Sequence, residues 1–502
     1  MELVFQENRL EYLSRILCET VTQEQTAELI VPDTYSDADR VVDAFGTALV
    51  RSEECSAGSA AVSGLVQVGV LIVTENEEVQ RLEAQLPFSV RKEFELPQDE
   101  CTMQCRCAVR GVDARMLNSR KLLVRVNVSC TIAVYVSRRQ MTYDMPEAAP
   151  TLQLKRTELP LRVPTALGEK SFVLNEEIEL PAGRPALERL LKCTYRTEVL
   201  EQKMVGSKAV FKGNLAVHML YENPEGGLET WNSGIPFSQY VDMESAQEDS
   251  DLQTILTLTA AETEPDGQMD CRRVLLSVNL LAQCTAYGQQ KVTLIEDAYC
   301  TDAEFTPQWN EWEMWGVLDR QSFRGTAQAD CETPAGKIID ACVCPEEAIK
   351  RRQGDRMTIE LPLVCNLLYT DPEGALQGRS LRPTFLMETE LAENGSCRVA
   401  NVGTEEVFCN ASGNGMEVRC PVSAEVECAA THRLRGVCGG SISEEKEDAG
   451  RRASVILRRT ESDEDVWDIA KACRTPVRSV LEANDLEGTQ ISAGTMLLIP
   501  MT

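Results

Sequence analysis

Histidine is almost missing: the 502 residues hold two, His218 and His432. A Ser-His-Asp or Cys-His constellation would have to use one of them. His218 alternates with the apolar positions of its segment, which assigns it to a solvent side, and His432 stands beside Arg433 and Arg435. A phosphate loop is missing too, because "GNGMEV" at 413–418 has neither the lysine nor the helix of a P-loop. There is no CxxC pair, so no zinc site is read from spacing. The most apolar segment, 65–73, is too short to span a bilayer and contains Gln67. The first residues lack the basic start and apolar run of a secretion signal, so the expected compartment is the cytosol. Positive charge is scarce: 50 Lys and Arg against 79 Asp and Glu leave a formal net charge of −29. That repels phosphate backbones and anionic membranes and favours a basic protein surface as partner. Together these absences argue against an enzyme, and no cofactor or metal is expected.

What is present is repetition. "MLYENPEG" at 219–226 returns as "LLYTDPEG" at 367–374. "GLVQVGVLIVTENEEV" at 64–79 lies against "GNLAVHMLYENPEGGL" at 213–228, an offset of 149 residues from Gly64 to Gly213. Val66, Val68, Val70 and Ile72 then match Leu215, Val217, Met219 and Tyr221, and Leu363, Cys365, Leu367 and Tyr369. An apolar period of two marks a half-buried strand, and Pro-Glu-Gly supplies a turn after it. Phe88, Phe237 and Phe385 keep the same offsets, as do Val41-Val42, Leu190-Leu191 and Ile338-Ile339. A late strand recurs as "LLVRVNVSCTIAVYV" (122–136), "VLLSVNLLAQCTA" (274–286) and "MEVRCPVSAEVECAAT" (416–431).

The reading is therefore mainly β: three tandem β-rich, antiparallel, sandwich-like repeats followed by a small βααβ module. The repeats span 29–140, 177–292 and 329–441. A lead-in covers 1–28, helix or strand undecided, and β-like connecting segments cover 141–176 and 293–328. The 20 cysteines do not recur with the repeat. Cys105 with Cys107, and Cys342 with Cys344, sit at strand spacing. They read as small buried thiols in a reducing compartment. Trp309, Trp312 and Trp315, spaced i, i+3 and i+6, suggest a helical stripe between units or a partner site.

A charged linker, 442–453, precedes the last module, 454–502. Val455 and Leu457 alternate on a first strand. Asp465 is placed to N-cap a helix with Val466, Ile469, Ala470 and Cys473 on one face. Thr475 and Pro476 form an N-cap and N1 pair for a second helix, with Val477, Val480 and Leu481 inward. A closing strand carries Met496, Leu498 and Pro500 in alternation with Leu497 and Ile499. The core is read as Val466, Ile469, Ala470, Leu481 and Leu498.

On Val466-Trp467-x-Ile469-Ala470, Leu481-x-Ala483-Asn484 and Gly494 before "MLLIP", the module resembles a LysM domain. That implies a βααβ fold and a groove for N-acetylglucosamine chains, here Asp463, Glu464, Asp465, Trp467, Asn484, Leu486 and Ile491. The family's Gly-Asp-Thr is replaced by Asp463-Glu464-Asp465, which departs from glycan binding. With that module, the acidic β-rich repeats resemble the DUF3794 or SPOCS family. The resemblance implies a non-catalytic scaffold of spore-coat assembly in the mother-cell cytosol, at the forespore surface. It also implies binding, through these LysM groove residues and the repeats, to a coat-basement ATPase of the SpoIVA type and to other coat proteins. The alternative is a peptidoglycan-binding cell-wall protein.

Overall fold

The structure is a computed structural model that describes residues 2–56, 58–95, 100–144, 151–244, 246–267, 271–412, 414–443 and 454–501. The linker expected at 442–453 lies, from 444 on, outside the described residues.

The predicted alternation sets the inner faces. Val66, Val68, Val70 and Ile72, then Leu215, Val217, Met219 and Tyr221, then Leu363, Cys365, Leu367 and Tyr369 are all buried in three separate cores. Each side chain so buried contributes about 1.5–3 kcal/mol. Around each core two antiparallel layers pack face to face. In the first, a meander of Ala38–Ser56, Ser59–Thr74 and Val79–Glu93 covers Gln6–Ile30, Lys121–Asp144 and Cys101–Asn118. In the second, Arg189–Val205, Lys208–Glu222 and Leu228–Asp242 cover Leu152–Glu179, Arg273–Cys300 and Asp251–Pro265. The third repeats the plan with its outer strands broken in two, around Arg356–Thr370 in one layer and Phe305–Cys331 with Gly415–Ile442 in the other.

The repeated turn has a local cause. Asn223 Oδ1 accepts the backbone N–H groups of Glu225 and Gly227, both at 2.9 Å, and Gly226 takes φ 80°. Asp371 and Gly374 (φ 94°) do the same work in the third unit. The paired phenylalanines also have a cause. Phe88 lies opposite Gly64 and Phe237 opposite Gly213. A Cβ at Gly64 would stand 2.8 Å from the Phe88 ring and 2.1 Å from the Leu49 carbonyl oxygen, so only glycine fits beneath it.

The stretches expected as lead-in and connectors carry long strands. Gln6–Ile30, Leu152–Glu179 and Phe305–Cys331 each pair along their length with the return strand of their own unit. Trp309, Trp312 and Trp315 therefore lie on a strand, and the helical stripe is corrected. A period of two sends them to different faces. Trp309 stacks under Arg435 at 4.0 Å and Trp315 under Arg15 at 3.9 Å, while Trp312 packs inward.

The three units are not strung out; they close on one another. Val42, Leu191 and Ile339 occupy equivalent repeat positions, as do Leu71, Leu220 and Leu368, and Val79, Leu228 and Leu376. All nine share one core. Farther along, Tyr12, Leu161 and Met314, again equivalent by strand pairing, share another. Equivalent residues meet only where three copies converge on an approximate three-fold axis. The contacts run head to tail, the arrangement that closes a ring. Arg189 of the second unit donates to the Val79 carbonyl of the first (2.6 Å), and its counterpart Arg40 donates to Leu376 of the third (2.9 Å). His218 and Asp340 join the second to the third. Glu2–Val4 adds a short strand to the end of Gly415–Ile442, fastening the chain's start to the third unit.

Candidate functional site

The terminal module runs strand, helix, helix, strand. Val455–Arg459 pairs antiparallel with Met496–Pro500, and between them lie α1 (Val466–Cys473) and α2 (Val477–Ala483). Asp465 caps α1, its Oδ1 accepting the Trp467 N–H at 2.8 Å. Val466, Ile469 and Ala470 are fully buried and Leu481 is half-buried. Leu498 is a correction. It is 38% exposed, whereas Leu497 at 1% and Ile499 at 0% point inward. A strand read one residue out of register exchanges its two faces. Asn484 fixes this register, its side chain donating to the Leu498 carbonyl and accepting the Leu498 N–H, both at 2.7 Å. Thr475 makes no cap either; its hydroxyl donates to the Pro500 carbonyl at 2.6 Å, and Pro476 holds the cap position.

The groove residues read from the sequence stand close together, and most are occupied within the module. Asp463 Oδ1 accepts the Ala493 N–H (2.9 Å), and Glu464 pairs with Arg458 (2.6 Å). Asp465 also receives Gln490 (3.1 Å), Ile491 is buried, and Leu486 packs on the core. Trp467 lies at the module's margin, where it meets the chain itself. It is 7% exposed and edge-on to Tyr299, with ring centroids 4.9 Å apart. Its Nε1–H donates to Asp297 Oδ2 at 2.9 Å, Lys471 donates to the same carboxylate at 2.6 Å, and Tyr299 donates its hydroxyl to the Thr475 carbonyl at 2.7 Å. Burial alone would raise the Asp297 pKa, but Lys471 and Trp467 hold it below the usual carboxylate range. The module therefore docks on the end of the second unit's long antiparallel pair, Leu152–Glu179 with Arg273–Cys300. Its opposite face leaves Val455, Leu457, Met496 and Leu498 exposed on the two-stranded ribbon.

Two charged nodes stand where the units converge. Asp43, Lys192 and Asp340 are repeat equivalents, each following the aligned apolar pairs. Lys192 is 1% exposed and donates to Asp43 Oδ2 (2.6 Å) and Asp340 Oδ2 (3.0 Å). Burial disfavours its charge, yet the two carboxylates raise its pKa well above the usual lysine value. His218, expected on the solvent side, is half-buried here. Its Nε2 is 2.7 Å from Asp340 Oδ1 and its Nδ1 2.6 Å from Asn232 Oδ1. Burial works to lower its pKa, but Asp340 and Cys342 raise it to about 11. In the second node the Glu427 carboxylate, with no exposure, receives Arg398 (2.7 Å), Arg15 (2.8 Å) and Arg320 (3.2 Å). Arg320 stacks on Tyr287 of the second unit at 4.0 Å. One signal pointed to the first node: charges at 43, 192 and 340 keep the repeat offset. The second gave none, because its arginines come from unrelated positions.

The fold defines a β-repeat protein whose units are joined through buried charge and a shared apolar core. Residues 186–264, the meander and edge strand of the second unit, match the family described as SipL, SPOCS domain. The chain thus carries a SipL-type SPOCS domain, which associates it with sporulation and the spore coat. No curated protein and no solved structure matches the chain. Among the described residues no helix is long and apolar enough to cross a membrane.

Proposed function

We propose that the chain is a non-catalytic scaffold of spore-coat assembly that binds a coat-basement ATPase of the SpoIVA type. The SPOCS match carries this reading. The terminal module, LysM-like in its motifs, supplies the capturing surface, and the closed body of three repeats supplies a rigid base. Trp467 is spent on fastening the module to that base. Capture then falls to the exposed ribbon face of Leu457 and Leu498, with Asp463, Glu464 and Asp465 as an acidic rim that steers a basic partner.

The test is capture of the ATPase from sporulating cells by the full chain, by a chain lacking 454–502, and by Leu457→Asp/Leu498→Asp. Both altered chains should lose capture, and the double variant should keep its circular dichroism spectrum. Undiminished capture by the double variant removes the ribbon face from the proposal. Displacement of the captured protein by N-acetylglucosamine oligomers replaces the scaffold with the peptidoglycan-binding alternative.

A further inference from the structure

One cluster at the junction of the second and third units goes unused by the scaffold reading. His218 Nε2, an Asp340 carboxylate oxygen and Cys342 Sγ all lie within 4.8 Å of one another. Asp340 and Cys342 stand two apart on the strand Ile338–Pro345, so both project from one face. His218 comes across from Lys208–Glu222. We propose that His218, Asp340 and Cys342 form a binding site for a divalent transition metal, zinc by its chemistry, that ties the second repeat to the third.

The donor set is imidazole, carboxylate and thiolate, the three ligand types zinc accepts, and tetrahedral zinc sets its donors roughly 3.4–3.7 Å apart. Nε2 and Oδ1 are 2.7 Å apart in their hydrogen bond, so admission of the ion requires a sub-ångström separation of two side chains. The surrounding contacts already orient the ligands. Asn232 Oδ1 accepts the Nδ1–H of His218 at 2.6 Å, which leaves Nε2 to the metal. Lys192 engages Asp340 through Oδ2 at 3.0 Å, which leaves Oδ1, now bonded only to His218, for the metal. Outer contacts of this kind fix tautomer and ligand direction in metal sites.

Lys192 does not exclude the cation. Binding releases the proton shared between His218 and Asp340 and the thiol proton of Cys342, and it brings in two positive charges. The node's net charge is unchanged, and Asp43 remains the second partner of Lys192. His218 and Cys342 are half-buried, so the ion has an approach and water completes the coordination.

The experiment uses the full chain freed of metal with a chelator and titrated with cobalt, then zinc. Expected are one tight equivalent, a thiolate-to-cobalt charge-transfer band with tetrahedral visible bands, and a rise in Tm with zinc. Cys342→Ser should abolish the charge-transfer band, and it should weaken zinc binding by about tenfold or more. His218→Gln should lose the tetrahedral bands while the circular dichroism spectrum is kept. A charge-transfer band of equal intensity in wild type and Cys342→Ser would place the metal on other thiols and overturn the proposal. No saturable binding by the wild type would leave the junction a hydrogen-bonded pair only, and would also overturn it.

Discussion

The chain has two kinds of junction, and they are built on different principles. Between repeats, the apolar core continues across the boundary: Leu71, Leu220 and Leu368 pack together as they would inside one domain, and charges are sealed in beside them. Between the second repeat and the terminal module, the contact consists of Tyr299 against Trp467 and the Thr475 carbonyl, one carboxylate, Asp297, shared by Trp467 and Lys471, and an ion pair of Lys155 with Asp465. The first junction cannot be opened without parting Lys192 from Asp43 and Asp340 and exposing the shared apolar core to water. The second shares a single body residue, Tyr299, with the module's core, while Val466, Ile469, Val480, Leu497 and Ile499 all come from the module. A three-repeat body that shares its core, with a terminal module joined to it by few contacts, follows from that contrast.

The largest expected effect is at the repeat junction. Lys192→Met would leave Asp43 buried without its cation and Asp340 with His218 alone, and removing one partner of a buried ion pair costs about 3–5 kcal/mol. The denaturant midpoint of the body should fall accordingly. A fall no larger than a surface change gives would mean the node is hydrated and the ring looser than described.

Glu427 sharpens the same comparison through pH. Burial pushes its pKa up, but Arg398, Arg15 and Arg320 outweigh this and hold it below the usual carboxylate range. A group depressed in the folded state stabilises above its unfolded pKa, about 4.3 for glutamate, and that contribution fades as pH falls toward the folded value. Wild type should therefore lose stability below about pH 4.3 faster than Glu427→Gln does. The variant should start lower at neutral pH, because three arginines keep an uncharged partner. Parallel pH curves for the two proteins in thermal melts would contradict the node.

The smallest effect separates two neighbouring leucines of the module. Leu497→Asp buries a charge and should unfold it. Leu498→Asp alters an exposed position and should change stability by roughly 0.5 kcal/mol or less. The body should melt unchanged in both, as a junction of few contacts requires. A body transition that moves with Leu497→Asp would make the module part of the ring's own folding unit.

Much of this was legible in one dimension because strands and turns are local. Val66 to Ile72 and their counterparts alternate because successive side chains face opposite sides of a sheet. Asn223 and Asp371 announce turns because a short side chain bonds backbone two and four residues on. The terminal module's order followed from its caps and its periodic faces. The signal failed where a strand is buried on both sides. Leu71 and Val73 fill the gaps in the alternation of Val70 and Ile72, and such a run reads as ambiguous. It failed again at Leu498, where five apolar or neutral residues allow either register and only Asn484 across the module decides.

The sequence by itself determined three copies of one β plan, their inner faces and turns, and a strand–helix–helix–strand ending. Those depend on residues near one another in the chain. That the copies close into a ring, that Asp43, Lys192 and Asp340 meet, that Glu427 gathers three arginines and that Trp467 turns back onto Tyr299 were decided only in three dimensions. Each brings together side chains distant in the chain, as Arg15 is from Glu427 and Tyr299 from Trp467, or rests on which face of a strand finds a neighbour, and no period along the chain encodes either.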